Sequence, residues 1–231
     1  MGKLLAGMLF AGMAGAQAPD PPDPRTDSGA ESISATRDDK HILGVVPNYA
    51  TVNDPFQTFQ PLTAGQKFIT AAHDTFDPFN WAIAGVYAAV YQWQNDYPQL
   101  GQSAKGYAKR YGATFADGAI SSYLSEGVLP TLLHEDPRYF RLGVGTKWRR
   151  IGYAMSRVLI TRTDAGTERF NTSEIAGNLM AASLGNLYYP SMNRTAGDTF
   201  EKFGINVVSD AGFNVLKEFW PDMRHRVLHR Q

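Results

Sequence analysis

From Pro61 onward, apolar positions recur at the three-to-four-residue spacing of amphipathic helices, and no run alternates residue by residue between hairpin signals. Thr63-Ala-Gly-Gln66 has capping-box spacing and predicts a helix through about Phe76, ended by Asp77-Pro78. Pro78 or Asn80 opens a second helix, FNWAIAGVYAAVYQWQND, uncharged between Asp77 and Asp96 and therefore expected at the centre of the fold. Ser103 starts a long helix through Glu126 that Pro130 kinks and that ends near His134. Thr146 caps a helix to about Thr161. Asn171-Thr-Ser-Glu174 repeats the capping-box spacing and opens a helix to Tyr189, stopped by Pro190. Asn193 caps a last helix, Thr195 to Phe219, stopped by Pro221. The pattern predicts an all-α fold, a compact bundle of about six helices over 63–231.

Two finer patterns lie on these helices. Gly177, Ala181 and Gly185 lie four apart, as do Gly85 with Ala89 and Gly112 with Ala116, and each set makes a smooth strip that a neighbouring backbone can approach closely. On the last helix Asp198, Lys202, Asn206, Asp210, Asn214 and Glu218 also lie four apart. That spacing drifts by about 40° per step, so these residues form a polar seam winding over an otherwise apolar helix.

The pattern changes ahead of the bundle. Residues 1–18, MGKLLAGMLFAGMAGAQA, have a cation, a short apolar run and small-x-small before Pro19, which is the design of a secretory signal peptide cleaved after Ala18. Residues 19–40 are Pro- and Asp-rich with almost no large apolar side chain, and they predict a disordered leader. Residues 41–62 carry β-branched and aromatic residues broken by Pro47, Pro55 and Pro61, and they predict an extended arm laid over the domain.

Composition adds that the chain of 231 residues has no cysteine, which removes disulfides and thiol chemistry, and that 22 basic and 22 acidic residues cancel. The cancellation is uneven: 138–169 holds 8 basic and 2 acidic residues, whereas everything from 19 to 137 is net acidic. Arg138, Arg141, Trp148, Arg149, Arg150 and Arg157, interleaved with Tyr139, Phe140 and Tyr153, are the candidate binding residues for an anionic surface such as lipid head groups or another envelope component. The blander expectation pairs these arginines with the protein's own acids. Export argues against nucleic acid as a partner.

The densest titratable string is Leu133-His134-Glu135-Asp136-Pro137-Arg138. His134 and Asp136, with Glu126 from an uncharged helix stretch where burial would raise its pKa, are the candidate catalytic residues of a small hydrolase. The same string also suits a helix exit, with His134 meeting the helix dipole and Arg138 pairing back to a carboxylate. His73 and Asp77, at i and i+4, are the candidate metal ligands, short of the three that a catalytic zinc takes, with Glu126, Glu174 or His134 the candidates for a third from elsewhere in the fold. The expectation is therefore no cofactor, with a divalent metal as the exception. Glu174 reads as the capping-box acid of its helix. No nucleophile elbow, Walker loop or His-Glu-x-x-His motif is present.

HILGVVPNY, LLHEDPRYFR, NLYYP and EFWPD together resemble a family of exported bacterial proteins without an assigned activity, over His41 to about Asp222. The resemblance implies export and a compact helical domain, and transfers no catalytic residue. The leading expectation is an exported envelope protein with a binding or structural role, in the periplasm or outer envelope of a bacterium. A hydrolase around His134, Asp136 and His73 comes next, and an integral membrane protein last.

Overall fold

Six helices carry the described part of the chain, which in the computed structural model is residues 41–42, 46–47, 50–52 and 58–228. The signal-peptide and leader expectations, and part of the arm at 41–62, lie outside the described residues. Helix α1 (Ala64–Phe76) starts at the expected capping box: Thr63 accepts from Gln66 N, and the Gln66 side chain accepts from Thr63 N at 2.9 Å. Asp77 ends it and caps α2 (Pro78–Trp93) by accepting from Phe79 N at 2.9 Å. Ser103 caps α3 (Ala104–Ser122), which runs on through a π-helical segment, Tyr123–Val128, into α4 (Leu129–Leu133) as one bent helix. Pro130 has no N–H to give the Glu126 carbonyl, and the slack appears as bonds five residues long, such as Leu129 N to Leu124 O.

Helices α5 (Lys147–Ser156) and α6 (Thr172–Gly185) are capped by Thr146 and Asn171 as the sequence predicts. Both end earlier than expected. The last helix, α7 (Ala196–Leu228), departs in two ways. Its start is a capping box of Thr195 with Asp198, not Asn193, since Thr195 Oγ1 accepts from Asp198 N at 3.1 Å while Asp198 accepts from Thr195 N. It also continues through Pro221. The proline leaves the Lys217 carbonyl without its helical donor, and one residue on the Glu218 carbonyl accepts from Arg141 Nε at 2.8 Å and Arg150 Nη2 at 2.7 Å.

The fold is mostly helical, not strictly all-α. Strands β1 (His41–Ile42) and β2 (Val46–Pro47) pair antiparallel, and β3 (Thr51–Val52) pairs parallel with β5 (Tyr139–Phe140). Strand β4 (Glu135–Asp136) pairs with β6 (Ile160–Thr163), which forms a hairpin with β7 (Glu168–Phe170) through a turn where Gly166 has φ +82°. Strands of two to four residues are too short to show a period in the sequence, which is why the pattern missed them.

The bundle's polarity is inverted. Its apolar core is largely alanine, with Ala71, Ala84, Ala88, Ala154 and Ala181 buried, and its largest fully buried side chains include Arg110, Lys67, Glu135, Glu218, Asn178 and Asp136. Meanwhile Trp93 and Trp148 are 85% and 82% exposed. The two largest of these are matched: Arg110 donates to the carbonyls of Asp96, Tyr97 and Gly101, and Lys67 to both Asp164 oxygens at 2.8 Å and to Pro130 O. The small-residue strip on α6 does what its spacing predicts, for Gly177 lies against the Ser125 backbone. No described helix is long and apolar enough to cross a membrane.

Candidate functional site

Five helical elements each contribute a carboxylate to one cavity of about 300 Å³: Asp74 from α1, Asp117 from α3, Glu126 from the π segment, Glu174 from α6 and Asp210 from α7, of which Asp74, Glu126, Glu174 and Asp210 act on one another. The seam on α7 explains its share. Lys202, Asn206, Asp210 and Asn214 turn inward onto the cavity with Lys217, so the polar side of this helix faces the interior while Phe200 and Val208 stand exposed. Aromatic walls come from Phe79, Tyr87, Tyr91, Phe115 and Phe213, with Phe79 and Phe213 edge to face at 6.2 Å.

Asn178 organises one side of the site. Its Nδ2 donates to Glu174 Oε1 at 2.9 Å and to Asp210 Oδ2 at 3.2 Å, and its Oδ1 accepts from Ser121 Oγ. Ser122 Oγ donates to Asp74 Oδ2 at 3.4 Å. Glu126 differs, since its Oε2 is buried and has no hydrogen-bond partner. Burial is the largest influence on all four carboxyls and pushes each above its ordinary value, Glu126 and Glu174 well above it. The Asp74 charge raises Glu126 further. Asp210 raises Glu174 through its charge and through the hydrogen bond between them, and that same bond favours ionised Asp210. Lys217 opposes the shift at every one of the four.

Elsewhere on the wall, Asp117 accepts from the hydroxyls of Tyr188 and Tyr189, the latter at 2.6 Å, and Lys202 Nζ lies 3.2 Å from the centre of the Tyr189 ring. Burial lowers the Lys202 pKa, and it pushes the Tyr91 hydroxyl up to about 12. The arginines that touch the cavity are engaged within the protein: Arg138 with Asp136, Arg157 with Glu168, and Arg162 with the Phe140 ring at 4.5 Å.

Among the described residues no three His, Asp or Glu side chains converge as a metal cage would require. The carboxylates reach the cavity from separate elements, with Glu174 and Asp210 drawn together on Asn178 Nδ2. A cavity of this size sits at the low end of the roughly 300–1,000 Å³ of small-molecule pockets.

Of the residues singled out from sequence, Glu126 alone among the catalytic candidates lines this cavity. The His134 side chain is 83% exposed, and its backbone ends α4 in the left-handed region at φ 54°. Asp136 is fully buried and takes Arg138 Nε at 2.9 Å and the Arg138 backbone N–H at 3.0 Å, the helix-exit arrangement. Of the metal candidates, Asp77 is the buried cap of α2 and His73 is exposed in the last turn of α1. Four of the surface-binding candidates turn inward: Arg138 and Arg157 as above, Arg141 to Asp222 at 2.7 Å, and Arg150 to Glu218 at 2.7 Å. Trp148 and Arg149 stand on the surface.

Sequence reasoning missed Asp74, Glu174 as a cavity group, Asp210 and Lys217. The signal for Asp210 was the four-residue seam, read without its direction. Glu174 is not the return half of a capping box, because its side chain bonds Asn178. No family model, no curated protein and no solved structure matches the chain.

Proposed function

We propose that this protein is a binding protein for a small organic cation, held in the carboxylate-lined cavity with its charge against Glu126 and its apolar body against the aromatic walls. The observation that carries the reading is the buried, unpartnered Oε2 of Glu126 in a cavity bordered by four more carboxylates, Asp74, Asp117, Glu174 and Asp210. A buried acceptor without a donor costs about 1–3 kcal/mol, and an ammonium or guanidinium donor removes that cost. The signal-peptide pattern of residues 1–18 supports binding outside the cytoplasm, in the periplasm or outer envelope.

Thermal melting with matched probes tests the reading. Butylamine and phenethylamine are expected to raise the melting temperature where butanol, phenethyl alcohol and butyrate do not, and the effect is expected to vanish in Glu126→Gln combined with Asp210→Asn. Equal stabilisation by the alcohols, or none by any amine, rejects it.

A second reading rests on the Glu174–Asp210 hydrogen bond. Two carboxyls sharing a proton suit general acid–base hydrolysis, with Asp210 as base and the Glu126 carboxyl as acid. Turnover of a glycoside or ester panel that is lost in Glu174→Gln and in Asp210→Asn supports this reading, and a panel left untouched by wild-type protein removes it.

A further inference from the structure

Helix α5 has two faces of opposite character. At about 3.6 residues per turn, Arg150, Ala154 and Arg157 fall on one side. There Arg150 and Ala154 are buried, Arg150 on Glu218 and Asp222 of α7, and Arg157 pairs with Glu168. The opposite side carries Trp148, Gly152 and Met155, with Trp148 82% and Met155 52% exposed. Val144 just before the helix and Leu159 just after it are exposed as well. Lys147 and Arg149 flank this apolar stripe, one on each edge, and both are exposed.

We propose that the outer face of α5 is a docking surface for an anionic lipid bilayer, with Trp148 and Met155 entering the head-group boundary and Lys147 and Arg149 meeting lipid phosphates. Charge complementarity selects the occupant. A stripe of exposed apolar side chains edged on both sides by long cationic ones is the pattern of an interfacial helix, in which the apolar face lies in the plane of the membrane and the cations reach outward to phosphate. A tryptophan at the middle of that stripe fits the same plane, since indole partitions to the interface. A soluble partner would have to offer an apolar groove lined by acids on both rims to match it.

The proposal separates the basic stretch 138–157 into two groups. Arg138, Arg141, Arg150 and Arg157 hold the fold together by pairing with the protein's own carboxylates, and they leave two cations and one tryptophan for the surface. It stands independently of the cavity, which Lys147, Trp148, Arg149 and Met155 do not line.

Sedimentation of the full chain with vesicles tests it, comparing phosphatidylcholine alone with phosphatidylcholine mixed with phosphatidylglycerol. Wild-type protein is expected to sediment with the mixed vesicles and far less with phosphatidylcholine alone. Lys147→Glu with Arg149→Glu is expected to weaken partitioning by roughly thirtyfold, at about one surface cation's attraction per residue. Trp148→Ala is expected to weaken it too, and all three positions are exposed, so the variants keep the fold. Lys105→Glu with Lys109→Glu makes the same change of net charge on the exposed start of α3 and is expected to leave partitioning within a few-fold of wild type. Four results overturn the proposal: no sedimentation of wild-type protein, sedimentation indifferent to phosphatidylglycerol, equal loss in the α3 control, and a lipid-free dimer that Trp148→Ala dissolves.

Discussion

Gly177 of α6 lies so close to Ser125 of the π segment that a Cβ on it would sit 2.9 Å from both the Ser125 nitrogen and its Cα. This contact brings Glu126 and Glu174 onto one cavity, because each carboxylate is within three residues of it. Gly177→Ala is therefore expected to destabilise the fold by about 1–3 kcal/mol, the cost of overpacking against backbone that cannot rotate away. Gly112→Ala, in the same kind of helix but exposed with nothing within 4 Å, is expected to stabilise by about 0.5–1 kcal/mol. Urea melts of the two variants check the pair, and a shared sign contradicts the steric explanation.

Glu218 ties α7 to α5 and to the segment 139–143. Fully buried, it accepts from Tyr139 Oη and Arg150 Nε at 2.7 Å and from the backbone of Leu142 and Gly143 at 2.9 Å. Glu218→Ala removes the acceptor of Tyr139 Oη, of the Leu142 and Gly143 backbone N–H groups and of Arg150 Nε, and is expected to cost about 3–5 kcal/mol in chemical denaturation. Disruption of this order is expected to exceed that of any single cavity carboxylate.

The cavity acids act with the opposite sign. Each binds its proton more tightly in the folded protein than unfolded, so the stability it contributes is complete below the ordinary carboxyl value and is lost as pH rises from there through the folded value. The melting temperature of the empty protein is expected to fall as pH rises above 4.5, the ordinary value for Glu126 and Glu174. Glu126→Gln and Glu174→Gln keep the shape of the neutral acid, and each is expected to stabilise the protein at neutral pH by about 1–3 kcal/mol and to flatten the pH dependence. A melting temperature that rises over this range contradicts the assignment.

Export has its own readout. Expression in a Gram-negative host is expected to give a periplasmic protein whose first residue is Pro19, read by intact mass. Full-length protein retained in the cytoplasm contradicts the signal-peptide reading.

The helix starts at Thr63, Ser103, Thr146 and Asn171 were legible because an N-cap is a local event, one side-chain oxygen meeting a backbone N–H two or three residues on. What escaped was decided at a distance. Pro221 reads as a stop, yet the helix passes through it, and at that turn Arg141 and Arg150, some seventy residues earlier, donate to the Glu218 carbonyl, a contact no local pattern announces. The seam on α7 was visible as spacing, but whether it faces solvent or the interior depends on what packs beside it. Here Asp74, Glu126 and Glu174 come from three other elements. His134 and Asp136 drew attention as neighbours in sequence, and the fold sends one outward and buries the other against Arg138.

Calorimetric titration of phenethylamine at neutral pH, in two buffers of unlike ionisation heat, tests the cation-binding cavity most directly. Saturable binding with protons released is expected, because a bound ammonium lowers the carboxyl pKa values that burial raises, and that binding is expected to be lost in Glu126→Gln with Asp210→Asn. Equally tight binding of phenethyl alcohol, or binding of the amine with no proton released, would contradict it.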